Sequence, residues 1–171
     1  LLQAEVLSGL GEGYRQLGEY DTAIVHHSRA LEINKQIGNR AQEGITLGNI
    51  ALVYQAQGEN EKALEYFTQA LNIAREIGNK RFEGISLGNI ALVYQDLGAY
   101  EKSLEYHTKA IDIAREIGNK RDEGSHIGNM AISYQDQGAY ETSLEHYTQA
   151  LEINREIGNK RSEGINLGNM A

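Results

Sequence analysis

Apolar residues recur along this chain in two helical rhythms, separated by glycine and repeated every forty residues. Within 41–80, Leu47, Ile50, Ala51 and Tyr54 fall at offsets 0, 3, 4 and 7. At about 100° per residue this is one face of a helix. Gly58 breaks the rhythm; Ala63, Leu64, Phe67, Ala70, Leu71 and Ala74 resume it until Gly78-Asn79, the kind of sequence that ends a helix in a left-handed cap. Glu61 stands in the first turn of this second segment and Arg75 in its last, each on the side the helix dipole favours. There is no strand-like alternation and no proline to interrupt a helix.

The same unit returns along the whole chain, marked by Ile37-Gly38-Asn39, Ile77-Gly78-Asn79, Ile117-Gly118-Asn119 and Ile157-Gly158-Asn159. Self-similarity at such a period signals a repeat architecture. The pattern predicts an all-α chain of four repeats, about 1–40, 41–80, 81–120 and 121–160, plus part of a fifth at 161–171. First helices are expected at 2–16, 42–57, 82–97, 122–137 and 162–171, and second helices at 20–37, 60–77, 100–117 and 140–157. Turns of two or three residues force each pair antiparallel. No linker or charge block divides the chain, so 1–171 is expected to be one array. It begins at Leu1 without Met and stops inside a repeat, as an excerpt of a longer chain would.

Composition narrows the function. The net charge of −8 and pI near 5.1 speak against duplex nucleic acid, which calls for a basic stripe, and against an anionic membrane surface. Without cysteine there are no disulfides, thiolate nucleophiles or cysteine-ligated metals, which suits the cytoplasm. No apolar run approaches the roughly 20 residues that span a bilayer.

The spaced pattern Leu47, Ile50-Ala51, Tyr54, Gly58, Ala63, Phe67, Ala70 resembles the tetratricopeptide repeat, in which large and small residues alternate along a helix–turn–helix. The third copy reads Leu87, Ile90, Ala91, Tyr94, Gly98, Ser103, His107, Ala110, and the first and fourth follow suit. The usual unit has about 34 residues and a proline near the end of its second helix. Here Lys35, Arg75, Arg115 and Arg155 replace that proline, and the helix gains about a turn. The longer variant is similar to repeats of the Pins/LGN adaptors, kinesin light chains and bacterial multi-repeat proteins. The resemblance implies a right-handed superhelical α-solenoid whose first helices line a concave groove, and a role in binding segments of other proteins.

The helical wheel marks a second face. With Leu47 at zero, Ile45, Gly48, Asn49, Leu52 and Ala56 lie between roughly 100° and 200°, with Gln55 at the margin. It returns as Ile85, Gly88, Asn89, Leu92, Gln95 and Asp96, then as Ser125, Gly128, Asn129, Ile132, Gln135 and Asp136. A plain solvent face would carry Lys and Glu instead. The row Asn49, Asn89, Asn129 and Asn169 matches the asparagine ladders with which related repeat proteins hold peptide backbones. An amide offers one acceptor and two donors, and helices about 10 Å apart set one Asn per about three residues of extended peptide. The alternative is that these amides bond neighbouring side chains and order the scaffold. Gly48, Gly88, Gly128 and Gly168 each cost about 1 kcal/mol against Ala, either to admit a ligand backbone or to let successive first helices pack closely.

Asp96 and Asp136 make the later face acidic and point to a basic or amide-rich ligand. Members of the family that clamp a C-terminal carboxylate need several groove cations; only Arg15 qualifies here. His27, Phe67, His107 and Tyr147 share one repeat position, and His26, Tyr66, Tyr106 and His146 the one before, so these rings read as fillers of a core slot. No metal-ligand spacing, phosphate-cradling loop or nucleophile–base pair is present, and neither catalysis nor a cofactor is expected. The sequence therefore predicts a groove that binds a protein or peptide segment. Two alternatives stay open: a spacer that self-associates through exposed terminal helices, and a sensor array fused to a catalytic domain elsewhere.

Overall fold

The computed structural model describes residues 2–170, and among them nine helices and no strand. In chain order they are α1 (Leu2–Gln16), α2 (Tyr20–Gln36), α3 (Arg40–Ala56), α4 (Asn60–Glu76), α5 (Lys80–Asp96), α6 (Tyr100–Glu116), α7 (Lys120–Asp136), α8 (Tyr140–Glu156) and α9 (Lys160–Asn169). The first helices of the second to fifth repeats start two residues before the apolar rhythm, at Arg40, Lys80, Lys120 and Lys160. The cause is a cap: the side-chain oxygens of Asn39, Asn119 and Asn159 accept from the backbone N–H groups of Gln42, Asp122 and Ser162. Asn79 does the same for Phe82 at 3.0 Å. The expected helix end at Ala171 lies outside the described residues.

The second helices stop one residue early, with Ile37, Ile77, Ile117 and Ile157 as C-caps. Gly78 then takes φ 67°, a left-handed conformation glycine enters without a Cβ penalty. Gly78 N–H donates to Arg75 O at 3.1 Å and Asn79 N–H to Ala74 O at 2.9 Å, so the last carbonyls are used. Asn79 thus closes one helix with its backbone and opens the next with its side chain.

The chain divides into two compact units, Leu1–Phe82 and Glu83–Ala171. In the first, α1 packs on α2 and α3, α2 on α3, and α3 on α4. Buried Leu47, Ala70 and Ile73 form a cluster there, walled by Leu31, Tyr66 and Phe82. In the second, α6 packs on α7, α7 on α8, and α8 on α9. Its cluster is Ile111, Ile127, Met130 and Ala150, with Leu104, Tyr134 and Ile153 against it. Each buried Leu or Ile contributes about 1.5–3 kcal/mol. Alanine at 23, 63, 110 and 150 has no exposed surface, which lets paired helices approach closely.

The ring positions are paired within each repeat. Tyr54 stacks on Tyr66 and Tyr94 on Tyr106, both at 5.4 Å between centroids, and Tyr14 stacks on His26 at 5.2 Å. Tyr134 meets His146 at 4.8 Å and a tilt of 42°. A second tie recurs at the start of the first helices. Glu123, 5% exposed, is held by Arg115 at 2.7 Å and Lys120 at 3.0 Å. Burial raises its pKa, but Arg115 and Lys120 outweigh that and hold it below the usual carboxylate range. Arg40 bridges Glu43 and Glu76 in the first unit. Glu43 and Glu123, in the first turns of α3 and α7, are thus buried and clamped.

Candidate peptide-binding face

Three of the four ladder asparagines are half-buried: Asn49 on α3, Asn89 on α5 and Asn129 on α7. Asn169, at the end of α9, is exposed. Leu52, Leu92 and Ile132, three residues after each Asn, are likewise half-buried and follow it on the same helical face. Gln55 and Gln95 are half-buried, whereas Gln135, Asp96 and Asp136 are exposed. Among the described residues no hydrogen-bond partner engages the side chains of Asn89 and Asn129.

Within the second unit this face carries its own network. Gln95 donates to Asp136 at 3.3 Å, tying α5 to α7 along the acidic margin. The Tyr147 hydroxyl donates to Gln135 at 3.1 Å and lies within reach of the Asn169 amide. Burial raises the Tyr147 pKa above that of ordinary tyrosine. Between α7 and α9 a cleft of ≈ 170 Å³ opens, lined among others by Ser125, Asn129, Ile132, Ile165, Asn166 and Asn169. Asn129, Ile132 and Asn169 are thus brought to one cavity; in the first unit, Asn49, Leu52 and Gln55 lie along α3 and are all half-buried.

Arg15 does not stand as a free cation. Its guanidinium donates to both Glu12 oxygens, at 2.8 and 2.7 Å, and this contact holds the Glu12 carboxyl down at about 2. The mid-helix glycines have two answers. A Cβ on Gly88 would collide with the His126 ring, and one on Gly128 would sit 3.2 Å from Asn166 Oδ1, so close packing explains both. Around Gly48 and Gly168 nothing lies within 4 Å of such a Cβ.

Sequence reasoning passed over Asn166, which is 6% exposed inside the cleft. The signal was present: its repeat position runs Val6, Thr46, Ser86, His126, Asn166, polar in four copies of five. The described residues hold no group of three or more His, Asp or Glu able to bind a metal ion, and no helix long and apolar enough to cross a membrane.

The sequence profile of the tetratricopeptide repeat matches residues 2–76 and again 82–156. The chain belongs to the tetratricopeptide repeat family. Solved structures agree on the fold. A signal-transduction ATPase with numerous domains that carries a tetratricopeptide repeat sensor, from Pyrococcus horikoshii, superposes with a TM-score of 0.85 at 24% identity over 96% of this chain and 26% of its own. A Rap protein complexed with competence and sporulation factor gives 0.84 at 21% identity, over 93% of this chain and 44% of its own. Kinesin light chain-like repeats of Podosopora anserina, nearly identical to one another, give 0.78 at 17% identity over 97% and 82%. The chain therefore spans less than half of the Rap protein and about a quarter of the signal-transduction ATPase. No curated protein matches the sequence. Tetratricopeptide repeats typically mediate protein interactions, and this chain has the fold for it.

Proposed function

We propose that this tetratricopeptide array is a binding module without catalytic activity, holding an extended peptide segment against α5, α7 and α9 of its second unit. The observation that carries the reading is the cleft, where half-buried Asn129 adjoins apolar Ile132 and Ile165. Open amides beside an apolar strip suit a peptide: the amides pair its backbone N–H and C=O groups, and the strip covers a side chain. Asp96 and Asp136 favour a basic or amide-rich segment. The Rap protein solved with competence and sporulation factor lends support by fold, as does the sensor ATPase for a regulatory setting. With no cysteine to oxidise, the cytoplasm is the compartment we assign.

The test is the double variant Asn89→Ala, Asn129→Ala. Peptides selected on the parent chain from a capped random library should bind it at least about tenfold more weakly, equivalent to about 1.4 kcal/mol. Its thermal unfolding should stay within about a degree or two, because no hydrogen bond engages either amide among the described residues. Equal affinity of parent and variant would remove the ladder from the account.

A second reading rests on α1. Val6, Leu10 and Leu17 are 55%, 45% and 74% exposed and line a hollow of ≈ 460 Å³. Such an apolar face suits self-association. Light scattering across a concentration series decides between them: a constant monomer mass removes this reading.

A further inference from the structure

Asn166 leaves a buried donor unused. It is 6% exposed, and its Nδ2 has no hydrogen-bond partner. The same position in the first unit shows what closure looks like. Thr46 donates to Gln42 O at 2.7 Å and accepts from the buried Asn34 amide at 3.2 Å. Asn154 is the counterpart of Asn34 in the second unit, yet it is committed elsewhere. Its Nδ2 donates to Ala150 O at 2.8 Å, and its Oδ1 accepts from Asn159 at 3.2 Å. Asn166 therefore receives nothing from α8, and the residue is one of those lining the cleft. A buried donor without an acceptor is costly, and native structures retain few of them.

The cleft defines what would answer it. At ≈ 170 Å³ it is below the range of about 300–1,000 Å³ typical of cofactor and small-molecule sites. One side chain fits. That side chain must present an acceptor to Nδ2. A carboxylate is disfavoured, because no Lys, Arg or His lines the cleft and an unpaired buried charge is expensive. A primary amide supplies the acceptor without charge, and its own N–H groups face the open amide of Asn129.

We infer that the α7–α9 cleft is a specificity pocket for an asparagine or glutamine side chain of the bound peptide, with Asn166 as its recognition residue. The inference rests on the peptide-binding reading and adds which residue type one position of the ligand must carry.

The experiment selects an N-acetylated, C-amidated peptide library, randomised at every position, on the intact chain and on Asn166→Leu and Asn166→Ser variants. In the parent, one peptide position should enrich Asn or Gln over Leu, Asp and Glu by about tenfold or more. Both variants should keep binding peptides and lose that preference, and Asn166→Leu should melt no lower than the parent, since it removes an unpaired buried donor. Circular dichroism melting run alongside confirms that the variants are folded. Peptides bound without any amide-selective position, or an amide preference that survives in a folded variant, would overturn the pocket while leaving the groove intact. A parent that captures no peptide overturns both.

Discussion

Phe67 and His107 hold the same place in their repeats, forty residues apart, and both are sealed from solvent. The second repeat fills this slot with a hydrocarbon ring that asks for no partner. The third fills it with an imidazole whose two nitrogens find none, as His27 does in the first. His126 lies beside it, 5.6 Å between centroids at a tilt of 41°, and its Nδ1 is also unpaired. Tyr147 is a third solution, with its ring in the slot and its hydroxyl bonded to Gln135. All three residue types are flat rings, and each is buried in the slot. Polar satisfaction then decides how much stability the slot returns, because each unpaired buried nitrogen carries a desolvation cost of about 1–3 kcal/mol.

The largest expected effect strikes the apolar slot. Phe67→Ala should cost about 3–5 kcal/mol through lost transfer energy and a cavity, read as a fall in the urea midpoint. His107→Phe should move the other way and gain about 1–3 kcal/mol at neutral pH. A stabilised Phe67→Ala, or a destabilised His107→Phe, would break the comparison.

Acid sharpens it. Burial, helped by neighbouring His126, holds the His107 pKa down to about 3, against about 6.5 in an unfolded chain. Burial lowers His126 as well, with Asp122 opposing, and lowers His27 in the first unit against the pull of Glu12. At acid pH the unfolded state binds the proton that the folded imidazole refuses. Stability from this group is therefore complete above about pH 6.5 and is lost as pH falls toward 3. Between pH 6.5 and 5, His107 alone should cost about 2 kcal/mol, at about 1.36 kcal/mol per unit. Urea titrations at both values should show the loss in the parent and a smaller one in His107→Phe.

The glycines end with the smallest expected effect, at Gly48. Gly88→Ala should destabilise by about 1–3 kcal/mol, because its methyl meets the His126 ring. Gly48→Ala meets nothing and should gain up to about 1 kcal/mol of helix propensity. Equal responses would mean that His126 yields freely. Paired thermal melts of the two variants measure the difference.

Much of this was legible in the sequence. The forty-residue period located every helix, since each rhythm of Leu, Ala and aromatic residues must bury its own face. The two-residue early starts were missed because Arg40, Lys80, Lys120 and Lys160 lie outside the apolar rhythm, and Asn39 and its equivalents appear first as helix stops. Asn49, Asn89 and Asn129 were visible as a row, whereas Asn166 was not, because an amide looks alike whether bonded or unpaired. The pairing of Arg15 with Glu12 escaped for a similar reason, since charge on a wheel does not reveal its partner. Nor does the boundary after Phe82 leave any mark, as the repeats run through it unchanged.

The central claim, that open amides of the second unit hold a peptide, is tested most directly by nuclear magnetic resonance of side-chain amides during titration with a selected capped peptide. Asn119 and Asn159, whose side chains are spent on helix caps, serve as internal controls. The account predicts that the signals of Asn89 and Asn129 shift and saturate together while those of Asn119 and Asn159 stay fixed. Saturable binding that leaves Asn89 and Asn129 unmoved would contradict it.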